Sequence, residues 1–149
     1  MLASRVRMAT FKDSLFIPEV YLAQDSDFVK VSNFWVYRGS ELEIEIPHTI
    51  QGEQITTYEY MFYGSGGFLA TPVTRVVSNN KSVTNMDYMF YDSSATTLDL
   101  SSFDTSNVSR MSNMFQSSSA TTGYARTQAD ADKFNASSNK PSRLVFVVK

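Results

Sequence analysis

A repeated motif constrains the fold of this chain more than any other feature. Val83-Thr84-Asn85-Met86-Asp87-Tyr88-Met89-Phe90-Tyr91 returns as Val108-Ser109-Arg110-Met111-Ser112-Asn113-Met114-Phe115-Gln116. A weaker copy, Ile55-Thr56-Thr57-Tyr58-Glu59-Tyr60-Met61-Phe62-Tyr63, precedes both. The Met-Phe pairs fall at 61–62, 89–90 and 114–115, so the spacings are 28 and 25 residues. A period of this size marks stacked supersecondary units, because one unit cannot bury its apolar side without its neighbours. Stacked units expose broad surfaces, which suits binding better than catalysis in a closed pocket.

Within each copy the apolar residues sit at offsets 0, 3, 6 and 7, as in Val83, Met86, Met89 and Phe90. That spacing predicts two short helical turns with one buried face. The middle copy continues into Thr97-Leu98-Asp99-Leu100, a short strand with both leucines on one side and Asp99 on the other. Strands on one side and short helices on the other would enclose a core of Met86, Met89, Phe90, Leu98, Leu100, Met111, Met114 and Phe115. The third copy departs after Thr122 into Gly123-Tyr124-Ala125-Arg126. Thr127 to Asp130 then reads as the capped start of a helix to about Ala136, with Phe134 inward, and Leu144 to Val148 reads as a last strand. A divergent final unit over about 123–149 is what a solenoid needs, since an ordinary repeat there would leave an apolar face in water.

Upstream of the repeats the pattern is that of strands. Glu19-Val20-Tyr21-Leu22 is short, and Asp25-Ser26-Asp27 is a turn by its side-chain chemistry. Residues 28–37 are aromatic and β-branched and form one strand or two, with Arg38-Gly39-Ser40 turning after them. Glu41 to Ile46 alternates charged and apolar residues until Pro47 stops it. The expected fold class is therefore α/β. An antiparallel β module over 1–47 is followed by a repeat solenoid over 48–149 that ends in a helix–strand cap.

Length and composition suit one domain with a real core: 149 residues, 42% apolar and 13% aromatic. The net charge of −2 comes without a basic block, which argues against nucleic-acid binding. There is no Cys, so disulfides, thiolate metal sites and thiol nucleophiles are excluded. No run of about 18 apolar residues offers a membrane-spanning helix. Residues 1–8 are basic but lack an apolar stretch, so no secretory leader is expected. Met8 is a possible second start, which would make 1–7 an extension.

The repeats resemble the leucine-rich-repeat-like units of the BspA type. The residues that carry the resemblance are Val83 to Tyr91, Thr97-Leu98-Asp99-Leu100-Ser101-Ser102-Phe103-Asp104-Thr105-Ser106-Asn107-Val108, and Met111 to Phe115. Such units occur in surface proteins of Gram-positive bacteria and mycoplasmas, and in structural proteins of their phages. The tail from Gly123 to Asn135 is similar to the terminator of such arrays in phage-encoded proteins. The resemblance covers roughly residues 50–122 and implies a solenoid with a display or contact role. Family members often carry many repeats and a Cys after Met-Phe, whereas this chain has about three copies and Tyr91-Asp92-Ser93-Ser94 at that turn. Those departures favour a virion component over a wall-anchored adhesin.

Candidate functional residues follow from exposure at equivalent positions. Tyr63 and Tyr91 follow the Met-Phe pair in successive copies and are expected to stack one above the other, with Asp99 on the outward strand face. Phe34, Trp35 and Tyr37 carry more apolar bulk than one strand hides and suit a docking or oligomer surface. His48 has no partners at a ligand spacing, Asp130 and Asp132 lack the Gly and Glu of a calcium loop, and Asp99 with Asp104 has no pocket signature. No catalytic, metal or cofactor residue is assigned, and none of these groups is expected to be needed. The expected partners are other virion proteins, or a host-surface glycan or protein. The chain would be an oligomer or part of a larger assembly on a virion or, alternatively, on a bacterial cell surface. Two rival roles remain open, a surface adhesin and a purely structural decoration subunit.

Overall fold

The computed structural model describes residues 20–64 and 72–149. The extension over 1–7, the alternative start at Met8 and the first residue of the strand expected at Glu19 lie outside the described residues. Ten strands and one helix follow in order: β1 (Tyr21–Leu22), β2 (Phe28–Val31), β3 (Phe34–Tyr37), β4 (Glu43–Glu45), β5 (Thr49–Ile50), β6 (Glu53–Gln54), β7 (Arg75–Val77), β8 (Thr97–Leu100), β9 (Thr122–Ala125), α1 (Gln128–Asn135) and β10 (Val145–Val148). A 3₁₀ turn occupies Asp25–Asp27, where the acidic side chains pointed to a turn.

Six strands form one parallel sheet in the order β1-β4-β7-β8-β9-β10, the spine of a β-solenoid of about five turns. Neighbouring coils stack in register, so Leu98 sits beside Gly123 and Leu100 beside Ala125. The sheet runs through position 47/48 without a break, because β1 and β4 pair with each other and β4 pairs with β7. Two antiparallel hairpins, β2–β3 and β5–β6, project from the early coils. Ser32 adopts a positive φ of 56° in the first hairpin turn.

The Met-Phe segments are not helical, which corrects the reading of their spacing. Each contains a left-handed residue that no helix tolerates: Tyr60 at φ 60°, Tyr88 at 59° and Asn113 at 57°. Successive i→i+3 turns, such as Met89 N to Met86 O and Tyr91 N to Tyr88 O, reproduce the 0, 3, 6 spacing of a helix face. Alternate N–H groups are spent on the next coil. Tyr58, Tyr60, Phe62 and Gly64 donate to the carbonyls of Asn85, Asp87, Met89 and Tyr91 at 2.7–3.2 Å. Met86, Tyr88, Phe90 and Asp92 repeat the pattern onto Arg110, Ser112, Met114 and Gln116. The turns therefore form a second inter-coil ladder opposite the sheet. A helix would have used the same groups on its own carbonyls.

The expected core is buried with one exception. Met86, Met89, Phe90, Leu98, Leu100, Met114 and Phe115 are all 2% exposed or less. Met111 is only half-buried, because it belongs to the last copy and lies at a groove beside Lys133 and Ser137. Phe62, Phe90 and Phe115 stack in a column with ring centroids 5.4 and 6.0 Å apart and planes within 10° of parallel. Tyr37 closes one end of the column and Phe134 with Phe146 the other.

The cap explains why the third copy diverges. Thr127 is the N-cap of α1, its hydroxyl accepting from Asp130 N as the sequence pattern required. Phe146 of β10 lies over Gly123, and a Cβ there would come within 2.4 Å of its ring. Gly thus replaces the leucine of the preceding coil because the cap supplies the bulk. The ladder also needs an end. Ser138 Oγ accepts from Asn113 N at 3.1 Å, and Ser137 Oγ accepts from Met114 N at 3.3 Å and donates to Met111 O at 2.6 Å. Replacing Ser137 and Ser138 together by Ala should cost about 1–3 kcal/mol. Amide exchange should accelerate at Asn113 and Met114 while β8 stays protected, and unchanged exchange there would disprove the capping role.

Candidate functional site

The turn ladder carries its aromatic side chains outward at fixed offsets, which builds a second column outside the core. Tyr60 and Tyr88 stack face to face, with centroids 4.7 Å apart and planes 2° from parallel. Phe34 from hairpin β2–β3 extends the column, 4.9 Å from Tyr60. Tyr63 meets Tyr60 edge-on at 5.8 Å, and Tyr91 meets Tyr88 edge-on at 5.7 Å. The stack thus belongs to Tyr60 and Tyr88, not to Tyr63 and Tyr91, which pack perpendicular to it. A bulky side chain in left-handed backbone costs about 1–2 kcal/mol. An aromatic pair returns about 0.5–1.5 kcal/mol, so stacking roughly offsets the strain.

Between this column and the hairpin lies an open groove of about 470 Å³, lined by Val31, Ser32, Phe34, Val36, Glu59, Tyr60, Tyr63 and Tyr91. The hairpin is held there by backbone as well as rings, since Tyr37 N donates to Met61 O at 2.8 Å, the position that later coils fill with their own ladder. Glu59 is the one acidic group of the lining and accepts from Asn85 Nδ2 at 3.3 Å. Arg38 lies over the ring of Tyr63 at 5.4 Å, so the chain itself seats a cation on this aromatic surface. Burial first, and then the neighbouring Tyr88 and Glu59, raise the Tyr60 phenol above its ordinary range.

The structure brings three of the expected contact residues, Phe34, Tyr63 and Tyr91, to one groove. The other three lie elsewhere. Tyr37 is 3% exposed and inward, its hydroxyl donating to Glu41 O and accepting from Glu41 N, and burial pushes its pKa far up. Trp35 is half-buried between the hairpins, its Nε1 donating to Glu53 at 2.9 Å beneath Lys30. Asp99 does face outward from β8, but Lys149 at 2.5 Å and Arg75 at 3.9 Å cover it to 7% exposure. Burial opposes its ionisation, yet the bonds from Lys149 and Ser101 hold its pKa below the usual carboxylate value. Glu59, Tyr60 and Tyr88 are not among the contact residues expected from the sequence. The available signal was the shared offset of Tyr60, Tyr88 and Asn113, because Asn favours the left-handed backbone that lifts those side chains outward.

Other features resolve into structure. A cavity of about 230 Å³ near Lys81 and Arg126 has most of its polar groups engaged within the chain. There Asn80 donates to Ile55 O, Ser102 accepts from Ser78 N, and Arg126 pairs with Asp104 and Asp130. His48 is exposed and bonds Asn79 at 2.6 Å. Among the described residues no three His, Asp or Glu side chains converge as metal ligands.

A family model described as "Mycoplasma protein of unknown function, DUF285" matches residues 32–146. The match takes in strand β3, the whole ladder and most of the cap. No curated protein and no solved structure matches the chain.

Proposed function

This chain belongs to the DUF285 family, and on that premise we propose that it is a non-enzymatic contact protein, displayed on a phage particle, whose aromatic groove engages the host surface. The observation that supports this reading is the groove itself. Two successive coils and the hairpin present Phe34, Tyr60, Tyr63 and Tyr91 together on one outer side of a rigid BspA-like solenoid. Rigid aromatic side chains provide contact area at small entropic cost, and recurrence at one offset per coil suits a ligand that also repeats. Display in many copies would multiply a weak single contact. The ligand would be a host-surface glycan or protein, and the β module would dock to other particle proteins. A second reading, a bacterial cell-surface protein, draws on the family description, which names mycoplasmas.

The double substitution Tyr63→Ala, Tyr91→Ala tests the reading. Both rings are half-buried and edge-on, so the fold should survive with a loss of about 1–3 kcal/mol. Binding of the folded variant to host cells should fall by about tenfold or more, as loss of roughly 1.4 kcal/mol of contact would give. A folded variant that attaches normally would leave the tyrosines as packing and favour a purely structural decoration subunit.

A further inference from the structure

Resting on the contact reading, we infer that the aromatic groove is a receptor site for a quaternary ammonium group, carried as phosphocholine on a surface polymer. The lining decides the chemistry. Four aromatic rings with Val31 and Val36 make the groove mostly apolar, Ser32 adds a hydroxyl, and Glu59 is its one charge. Aromatic faces and a carboxylate together attract a cation. The chain's own Arg38 already rests on the Tyr63 ring.

The kind of cation follows from what the groove lacks. A protonated lysine amine brings three N–H donors that need acceptors when they leave water. The groove has one carboxylate, Glu59, with one oxygen already accepting from Asn85 Nδ2, and otherwise only the hydroxyls of Ser32 and its tyrosines, while aromatic and aliphatic groups make most of its wall. A trimethylammonium group has no N–H and spreads its charge over methyl groups, so an apolar, negatively polarised wall satisfies it. A neutral saccharide would meet polar groups at Ser32, Glu59 and the tyrosine hydroxyls but would leave the charge of Glu59 unmatched, which a cation answers. The groove, at about 470 Å³, is larger than a trimethylammonium group and leaves room for the atoms that attach it to a polymer. Arg38 stands beside Tyr63, its Nη1 donating to Tyr37 O at 3.1 Å, and its other donors can meet the phosphate. Glu59 and Arg38 thus match the two charges of phosphocholine.

Titration of the intact protein with phosphocholine, choline and the uncharged isostere 3,3-dimethyl-1-butanol, followed by calorimetry and tyrosine ring NMR shifts, tests this. Phosphocholine and choline should saturate and shift the rings of Tyr60, Tyr63 and Tyr91, with the isostere weaker by about tenfold. Glu59→Gln should weaken choline and Arg38→Gln should weaken phosphocholine selectively, each with an unchanged circular dichroism spectrum. Equal binding of the isostere, or no saturable binding, overturns the assignment. The outcome separates from that of the contact reading. Phosphocholine that binds without inhibiting attachment leaves the site assigned and removes its role in attachment. Attachment lost in the Tyr63→Ala, Tyr91→Ala variant without any phosphocholine binding to the parent protein removes the assignment alone.

Discussion

Phe90→Ala should be the most damaging single substitution, at about 3–5 kcal/mol. Phe90 is fully buried and is the middle ring of the core column, stacked on Phe62 and Phe115. Truncation would remove contacts on both faces at once. The void could not collapse, because the backbones above and below are pinned by the bonds from Phe62 N to Met89 O and from Phe90 N to Met114 O. A loss of this size lowers the melting temperature by roughly 10 °C or more in a domain of about 150 residues. Phe90→Leu should recover much of it, since the volume is largely kept. Thermal denaturation of the three proteins checks the prediction, and an unchanged midpoint for the alanine variant would mean that the column is not the core.

Asp130→Ala should follow closely, at about 3–5 kcal/mol. Its carboxylate is 3% exposed and holds four groups: Thr105 N at 2.9 Å, Thr105 Oγ at 2.6 Å, Thr127 Oγ at 2.7 Å and Arg126 Nε at 3.0 Å. These join the cap helix to the preceding coil. Arg126 is 43% exposed, so its ion pair adds little, and the buried bonds to Thr105 make up most of the loss. Burial by itself would raise the pKa of Asp130. The bonds from Thr105 and Thr127 and the charge of Arg126 outweigh it and hold the group below its ordinary value. The sign then follows. A carboxyl that is depressed in the folded state contributes its stability in full above its unfolded pKa of about 3.9, and loses it as pH falls through the folded value. Stability of the parent protein should therefore drop below about pH 4. The variant should show a shallower acid limb, with Asp99, lowered by Lys149 and Ser101 against its burial, accounting for part of what remains. Denaturant midpoints measured from pH 7 down to pH 2 would show it, and parallel acid limbs would sink the claim.

The two substitutions probe different halves of one design. The Phe column makes each coil depend on its neighbours, while Asp130 fastens the last coil to a unit that is not a repeat. A solenoid of few coils needs both, since each interior coil gains stability from two sides and each terminal coil from one.

Much of this was legible in the residues. The period of 28 and 25 residues, the alternation in Thr97-Leu98-Asp99-Leu100 and the break after Thr122 determined stacked coils, inward Met, Phe and Leu, and a helix–strand cap. These are properties of pattern, and burial responds to pattern. The shape of the Met-Phe turn was not legible, because two i→i+3 turns and a short helix place apolar residues at the same offsets. Only the partner coil decides between them, by accepting the N–H groups that a helix would use itself. The same holds for the candidate site. The sequence determined which coils carry tyrosine and that Phe34 and Trp35 stand in a β segment. It could not say that Phe34 faces the ladder while Trp35 turns to Glu53 and Tyr37 turns inward, since a strand only alternates its faces and the packing of the hairpin chooses which face meets what. Nor could it bring Asp99 to Lys149, which lie 50 residues apart and meet because β8 and β10 flank the same strand of a parallel sheet. Local chemistry determined the units, and only the stacking of units decided which side chains share a surface.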